Sequence, residues 1–409
     1  MAEAVARRSY GKLVALLAAR TGDVAGAEDA LSEAFTAALA NWPSQGCPDN
    51  PEGWLMSVAR RRSIDASRSR QRLESARDHL RILSESSISA GESAGASIPD
   101  QRLALMFACA HPAIDAGIRS PLILQVILGL DAKVIASAFL MSPMAMGKRL
   151  VRAKEKIRQA GIPFRIPEAK ELPDRLNAVL EAVYAAFTEG WTDALALDTL
   201  RFNLTTEAIY LSELLAELLP AEPEAIGLLS LLLQSQARRA ARRTAQGAYV
   251  PFAEQDMELW DWQMIRRAEE LLRLAAAQRS IGRYQLEAAL QSAHVHRRCT
   301  GESNWSEIVR IYDALLQVTD GSPVVAVNRA LAVAELDGPQ AGICAIEGVA
   351  ATDARLNEYQ PYWAAKAELL AKAGAYSEAQ HAYLLAIGLE RDPSVRDFLQ
   401  RRQRLIEFA

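Results

Sequence analysis

Cysteine is scarce in this sequence, and the four present, Cys47, Cys109, Cys299 and Cys344, are dispersed without a Cys-x-x-Cys pair. That excludes a disulfide-stapled secreted scaffold and a thiolate zinc site, and it suits a reducing cytoplasm. Long apolar runs are missing as well. No stretch reaches the roughly 20 residues that a helix needs to cross a bilayer, and no apolar leader core opens the chain. A cytoplasmic protein with no membrane partner is expected. Glycine-rich phosphate loops, a nucleophile elbow and a convincing triad are absent, so no catalytic residue, enzymatic activity or cofactor is expected. Only His294-Val-His296-Arg-Arg-Cys299 gathers metal-ligand residue types. On a helix its two imidazoles would point about 200° apart, and Cys109 with His111 supplies only two ligands, so no metal site is expected. Almost nothing reads as strand, which leaves an all-α chain.

At 409 residues, half of them hydrophobic, the chain is long enough for two or more domains with their own cores. A net charge of −4 argues against a nucleic-acid partner for the chain as a whole. The charge is uneven, however: residues 1–163 carry 21 basic against 16 acidic side chains, and the remainder 25 against 34. The basic part holds the most informative pattern. From Asp131 to Phe139, Ile135, Ala138 and Phe139 fall at helical spacing, and Asp131 can cap the start. Met141-Ser142-Pro143 then breaks this helix, with Ser142 as the next N-cap and Pro143 at the first helical position. The second helix gathers Met146, Leu150, Ala153 and Ile157 on one face and sets Lys148, Arg149, Arg152, Lys156 and Arg158 around the others. A helix-turn-helix of this kind lays its second helix in the DNA major groove. Ser142, Met144, Ala145, Lys148, Arg149 and Arg152 are its candidate contacts. Taken alone, the segment reads equally well as a solvated basic face.

The segment resembles the promoter-reading helix-turn-helix of group-four, or extracytoplasmic-function, bacterial sigma factors of the sigma-70 family. Ile135, Ala136, Ser142, Arg149, Leu150, Arg152 and Ala153 match that pattern in register, whereas Val134, Ala145 and Gly147 replace its glutamate, threonine and lysine. A second match begins at Gly22-Asp23. Ala27, Leu31, Ala34 and Leu39 make an apolar stripe there, while Asp29, Ser32, Glu33 and Thr36 face away. It is similar to the sigma helix that grips the clamp of RNA polymerase, and the resemblance implies core contacts by Asp29, Ser32, Glu33 and Phe35. A solvated acidic face is the plainer alternative. The third match runs from Asn50-Pro51-Glu52-Gly53-Trp54-Leu55 to Ile64-Asp65. Val58 and Ile64 share the side of Trp54, Arg60 is directed outward, and Arg61 can pair with Asp65. In the family this helix and the loop before it open the −10 element. That implies contacts by Trp42, Asn50, Trp54, Arg60, Arg61, Arg62 and Arg68, with Trp42 and Trp54 either base-stacking platforms or core.

The resemblance orders the chain into a region-two-like domain over 1–80, a linker over 81–100 rich in Ser, Gly and Ala, and a region-four-like domain over 101–163 that reads the −35 element. The linker would let independent modules engage separated elements. Residues 168–409 form a helical extension, expected as helices over 176–187, 205–219, 224–243, 256–277, 284–295, 305–316 and 324–334, and onward. Towards its end, Glu368 to Ala386 resembles the turn and second helix of a tetratricopeptide repeat, with small Ala379 and Ala386 permitting close crossing and Tyr383 filling the groove. Similar sigma factors with such an extension form a subgroup. The implied function is a sigma factor that binds core RNA polymerase and promoter DNA, with a regulatory protein as a further partner for the extension. The alternative is a helix-turn-helix regulator or scaffold acting without polymerase.

Overall fold

The computed structural model describes residues 2–75, 100–139, 141–168, 170–192 and 199–407. The expected linker, except Asp100, lies outside the described residues. Among the described residues every regular element is helical, and the one strand-like pairing is an isolated bridge between Arg243 and Tyr249. The chain divides into two compact units, Met1–Asp193 with Asp198–Leu211 and Ala194–Leu197 with Ser212–Ala409.

The first unit contains α1 (Ala2–Thr21), α2 (Val24–Gln45), α3 (Pro51–Ser75), α4 (Arg102–Cys109), α5 (Ala116–Leu128), α6 (Ala132–Ala138), α7 (Pro143–Gln159) and α8 (Pro173–Thr192). It also takes the first part of α9 (Thr199–Leu218). Asp23 caps α2 by accepting from the Gly26 amide at 2.9 Å. The inner stripe of α2 is Ala27, Leu31, Ala34 and Ala38. Leu39, expected in that stripe, is 64% exposed. The fifth residue after Ala34 lies about 140° around the helix from it, whereas the fourth lies only about 40° away.

Helix α5 decides how this unit is assembled. Leu122, Ile123, Leu124, Val126 and Ile127 are all buried, so the helix is apolar on nearly every side and must be surrounded. Helices α1, α4, α7 and α8 surround it. At Gly11 of α1, a Cβ would stand 2.0 Å from the Ile127 carbonyl oxygen, so only glycine permits this approach. From the other side, Ser120 donates to the Glu181 carboxylate at 2.6 Å and Arg119 to the Asp174 carbonyl at 3.3 Å. Leu176, Val179, Leu180 and Val183 of α8 are buried. The two helical sets expected to meet only through their linker therefore share one core, and the first extension helix belongs to it.

The second unit takes the rest of α9, then α10 (Pro223–Gln236), α11 (Trp262–Ala277), α12 (Arg283–Thr300), α13 (Trp305–Val318) and α14 (Pro323–Asp337). It continues with α15 (Pro339–Thr352), α16 (Gln360–Lys372), α17 (Tyr376–Leu389) and α18 (Pro393–Glu407). Helices α8, α9 and α12 run longer than expected, and two expected helices are cut short. The first, α10, stops at Gln236 rather than Arg243, because the carbonyls of Ala237 and Arg242 accept from Asp261 and Val250 instead of continuing the helix. The second, α11, starts at Trp262 rather than Asp256; Asp261 caps it through the Met264 amide at 2.9 Å, and short 3-10 turns precede it. The Glu224 carboxylate reaches from α10 to the Tyr284 and Gln285 amides at 2.9 and 3.1 Å, serving the start of α12 where no local side chain does so. Helices α16 and α17 form the expected hairpin. Ala379, Ala382, Tyr383 and Ala386 are buried in it, and the Tyr383 hydroxyl donates to Glu368 at 3.0 Å.

Candidate nucleic-acid and polymerase interface

Asp131 starts α6 by accepting from the Lys133 and Val134 amides at 2.7 and 3.0 Å. The turn closes where the Met141 amide donates to the Ala136 carbonyl at 2.9 Å. Ser142 caps α7 through the Ala145 amide at 3.3 Å, with Pro143 at the first position. Met146, Leu150, Ala153 and Ile157 are buried, as their spacing requires. The candidate contacts then separate into groups. Ser142, Met144, Lys148 and Arg152 are exposed, and Ala145 is half-buried. Among the described residues the ion pairs of α7 engage Arg149, Lys154 and Arg158, not Lys148 or Arg152. Arg149 is turned aside: its guanidinium meets Asp115 at 2.5 Å and the Met141 sulfur at 3.4 Å. It ties α7 to the residue that precedes α5.

Lys154 of α7 was not among the sequence candidates, yet its ammonium meets the Glu28 carboxylate of α2 at 2.5 Å, with both side chains largely buried. The Tyr10 hydroxyl donates to the same carboxylate at 3.5 Å. Burial pushes the Glu28 carboxyl above the usual range, with Lys154 opposing, and burial likewise raises the Cys109 thiol nearby. The signal was present in the sequence. Lys154 lies about 40° from Leu150 around the helix, on the buried side, where a cation needs a partner.

On α2, Asp29, Ser32 and Glu33 are exposed and Phe35 is half-buried. Glu33 pairs with Arg62 at 3.3 Å, with both side chains more than half exposed, so the pair is worth little and leaves the carboxylate available. Asn50 starts α3 by accepting from the Gly53 amide at 2.9 Å. Trp42 is only 7% exposed and packs edge-on against Trp54 at 5.5 Å between ring centroids. A base can reach Trp54, which is half-buried, far more readily than Trp42 beneath it. Leu55, Met56 and Ala59 form the inner side of α3, whereas Ile64, expected beside Trp54, is 42% exposed. Arg60 is half-buried, and Arg61 and Arg62 are exposed. The side chains of Asp65 and Arg68 lie outside the described residues.

In the second unit, His294 stands between Phe252 and Trp305, at 5.8 and 5.9 Å between ring centroids, while His296 and Cys299 are exposed. Among the described residues no three His, Cys, Asp or Glu side chains are grouped to hold a metal ion. Burial, reinforced by Arg297 and Arg238, depresses His294 from 6.5 to about 4. Because the folded value lies below the unfolded one, the neutral ring contributes stability above pH 6.5 that is lost as pH falls through 4. We expect the loss to be at most about 3–4 kcal/mol. His294→Phe should remove it, so that wild type loses melting temperature relative to the variant between pH 7 and 4.5. A difference that stays constant with pH would refute the assignment.

Residues 5–73, spanning most of α1 to α3, match Sigma-70 region 2. Residues 175–276, from α8 to α11, match a family of unknown function, DUF6596. The chain is also 38% identical over 378 residues to the "Uncharacterized protein R00370" of Rhizobium meliloti (strain 1021), covering 91% of this chain and 88% of that protein. No solved structure matches. No helix among the described residues is long and apolar enough to cross a membrane.

Proposed function

Because this chain belongs to the sigma-70 family, with region 2 at its N-terminus, we propose that it is a group-four sigma factor that binds core RNA polymerase and directs initiation at a −35 and a −10 element. One observation carries this reading. A single unit presents exposed carboxylates on α2, at Asp29 and Glu33, and an exposed basic ridge on α7, at Lys148 and Arg152. A DNA-binding regulator would need only the second. The proposed −10 surface consists of Trp54, Asn50 and Arg60 to Arg62 on α3, with Trp42 supporting Trp54. The proposed −35 surface consists of Ser142, Met144, Ala145, Lys148 and Arg152, with Arg149 positioning the helix through Asp115. No catalytic role is assigned to any residue. The extension, tetratricopeptide-like in its last hairpins, serves as a protein-binding and regulatory part in a cytoplasmic protein.

The test is co-purification with core polymerase followed by selection of duplexes by the holoenzyme. Selection by the chain without polymerase would favour the one-component regulator instead. Lys148→Ala and Arg152→Ala should each weaken binding to all sequences and reduce the salt slope by about 0.9 for each phosphate that is no longer neutralised. If neither the affinity nor the slope changes, this ridge is a solvated face.

A further inference from the structure

The exposed ridge of α7 is not wholly polar. Met144 is 71% exposed and Val151 68% exposed, which makes them the two large apolar side chains that this helix turns to solvent. Seven residues apart, they differ by only about 20° around the helix and by about 10.5 Å along it. They line one flank of the ridge. Lys148 and Arg152 occupy its crest, and Arg149 lies on the opposite flank against Asp115. Between them on the apolar flank Gly147 adds no side chain, and an added Cβ there would meet nothing closer than the Ala132 methyl at 4.0 Å. The flank is therefore open to an approaching surface, and the adjoining cations bring that surface as a polyanion.

Scattered exposed apolar residues are ordinary. Two in register beside a cationic crest, one of them in the first turn of a helix-turn-helix recognition helix, are better matched to a particular chemistry. The apolar group displayed in the major groove is the thymine C5-methyl. We infer that Met144 and Val151 read thymine methyl groups, so that the upstream element is selected for thymine at the positions they cover, while Lys148 and Arg152 hold phosphates. This rests on the proposed function and assigns sequence preference to the apolar flank, on the other side of the ridge from Arg149, whose guanidinium faces Asp115.

The experiment uses the full chain in holoenzyme. Duplexes selected from a random upstream pool are resynthesised with uracil in place of thymine, which removes only the methyl group. Wild type should lose about fourfold in affinity per methyl covered, from the transfer of one buried carbon. Met144→Ala and Val151→Ala should each bind the selected duplex more weakly and lose part of the uracil sensitivity. Both positions are exposed, so neither substitution opens a cavity in the core. Lys148→Ala should bind more weakly but keep the full ratio between thymine and uracil duplexes. Equal affinity of wild type for both duplexes, or unchanged sensitivity in both apolar variants, overturns the inference while leaving the sigma-factor reading intact. A holoenzyme that selects no upstream sequence overturns both.

Discussion

Replacing Asp29 and Glu33 together by lysine is expected to reduce affinity for core RNA polymerase at least about hundredfold, while leaving the fold intact. Both carboxylates are exposed on α2, and the opposite face of that helix is the buried stripe of Ala27, Leu31, Ala34 and Ala38. A basic partner surface that attracts these carboxylates would meet two like charges in the variant, at a cost of several kcal/mol. About 2.7 kcal/mol already corresponds to two factors of ten. The internal cost is small, because the Glu33–Arg62 pair is solvent-exposed and such pairs contribute about 0–1 kcal/mol. Size-exclusion or native-gel titration against core enzyme measures the effect, with a thermal melt as the control for folding. Normal affinity in a folded variant would remove the polymerase assignment from this face. Glu28, one residue before Asp29, provides the contrast. Its partner Lys154 is largely buried with it, so removing either strands the other charge and acts on stability, by about 3–5 kcal/mol.

Ending the chain at Pro167 should unfold the N-terminal unit, whereas ending it at Leu211 should not. The shorter chain lacks α8, whose Leu176, Val179, Leu180, Val183 and Phe187 are buried. At about 1.5–3 kcal/mol for each large apolar side chain, their loss is comparable to the roughly 5–15 kcal/mol that holds a whole domain together. The chain ending at Leu211 keeps α8. It also keeps Glu207, which pairs with Arg102, and Tyr210, whose ring lies 4.8 Å from the Arg102 guanidinium. Circular dichroism and proteolysis of the two truncations distinguish them. A folded chain ending at Pro167 would refute the dependence on α8. Only the chain ending at Leu211 then tests what the rest of the extension does. Transcription from a cognate promoter then separates two roles for the extension: less from this chain than from the full chain points to assistance, and equal or greater activity points to autoinhibition.

Much of the candidate interface was legible because it depends on local chemistry. The Asp131 and Ser142 caps, Pro143 at the first turn and the Met146–Leu150–Ala153–Ile157 stripe are all set by residues within four positions of one another, and the structure contains each of them. The exposure of Asp29, Ser32 and Glu33 follows from the same periodicity. Reading failed where a position sat between faces. Helical spacing was read too loosely for Leu39, placed on the stripe of α2, and for Ile64, placed on the side of Trp54: each lies about 140° around its helix from a buried alanine, Ala34 and Ala59 respectively, and is exposed.

The sequence by itself determined the helical class, the turn between α6 and α7, the charged faces of α2 and α7 and the small-residue crossing of α16 with α17. These follow from periodicity and capping, which act over a few residues. Tertiary structure alone decided that α5 is enclosed by α1, α7 and α8, that Gly11 rests on the Ile127 carbonyl, and that Lys154 finds Glu28. It also decided that Arg149 turns to Asp115 and away from the ridge. Each of these joins residues distant in the chain, and no local rule ranks such pairings, because their energy arises only when two separately formed faces exclude water from each other.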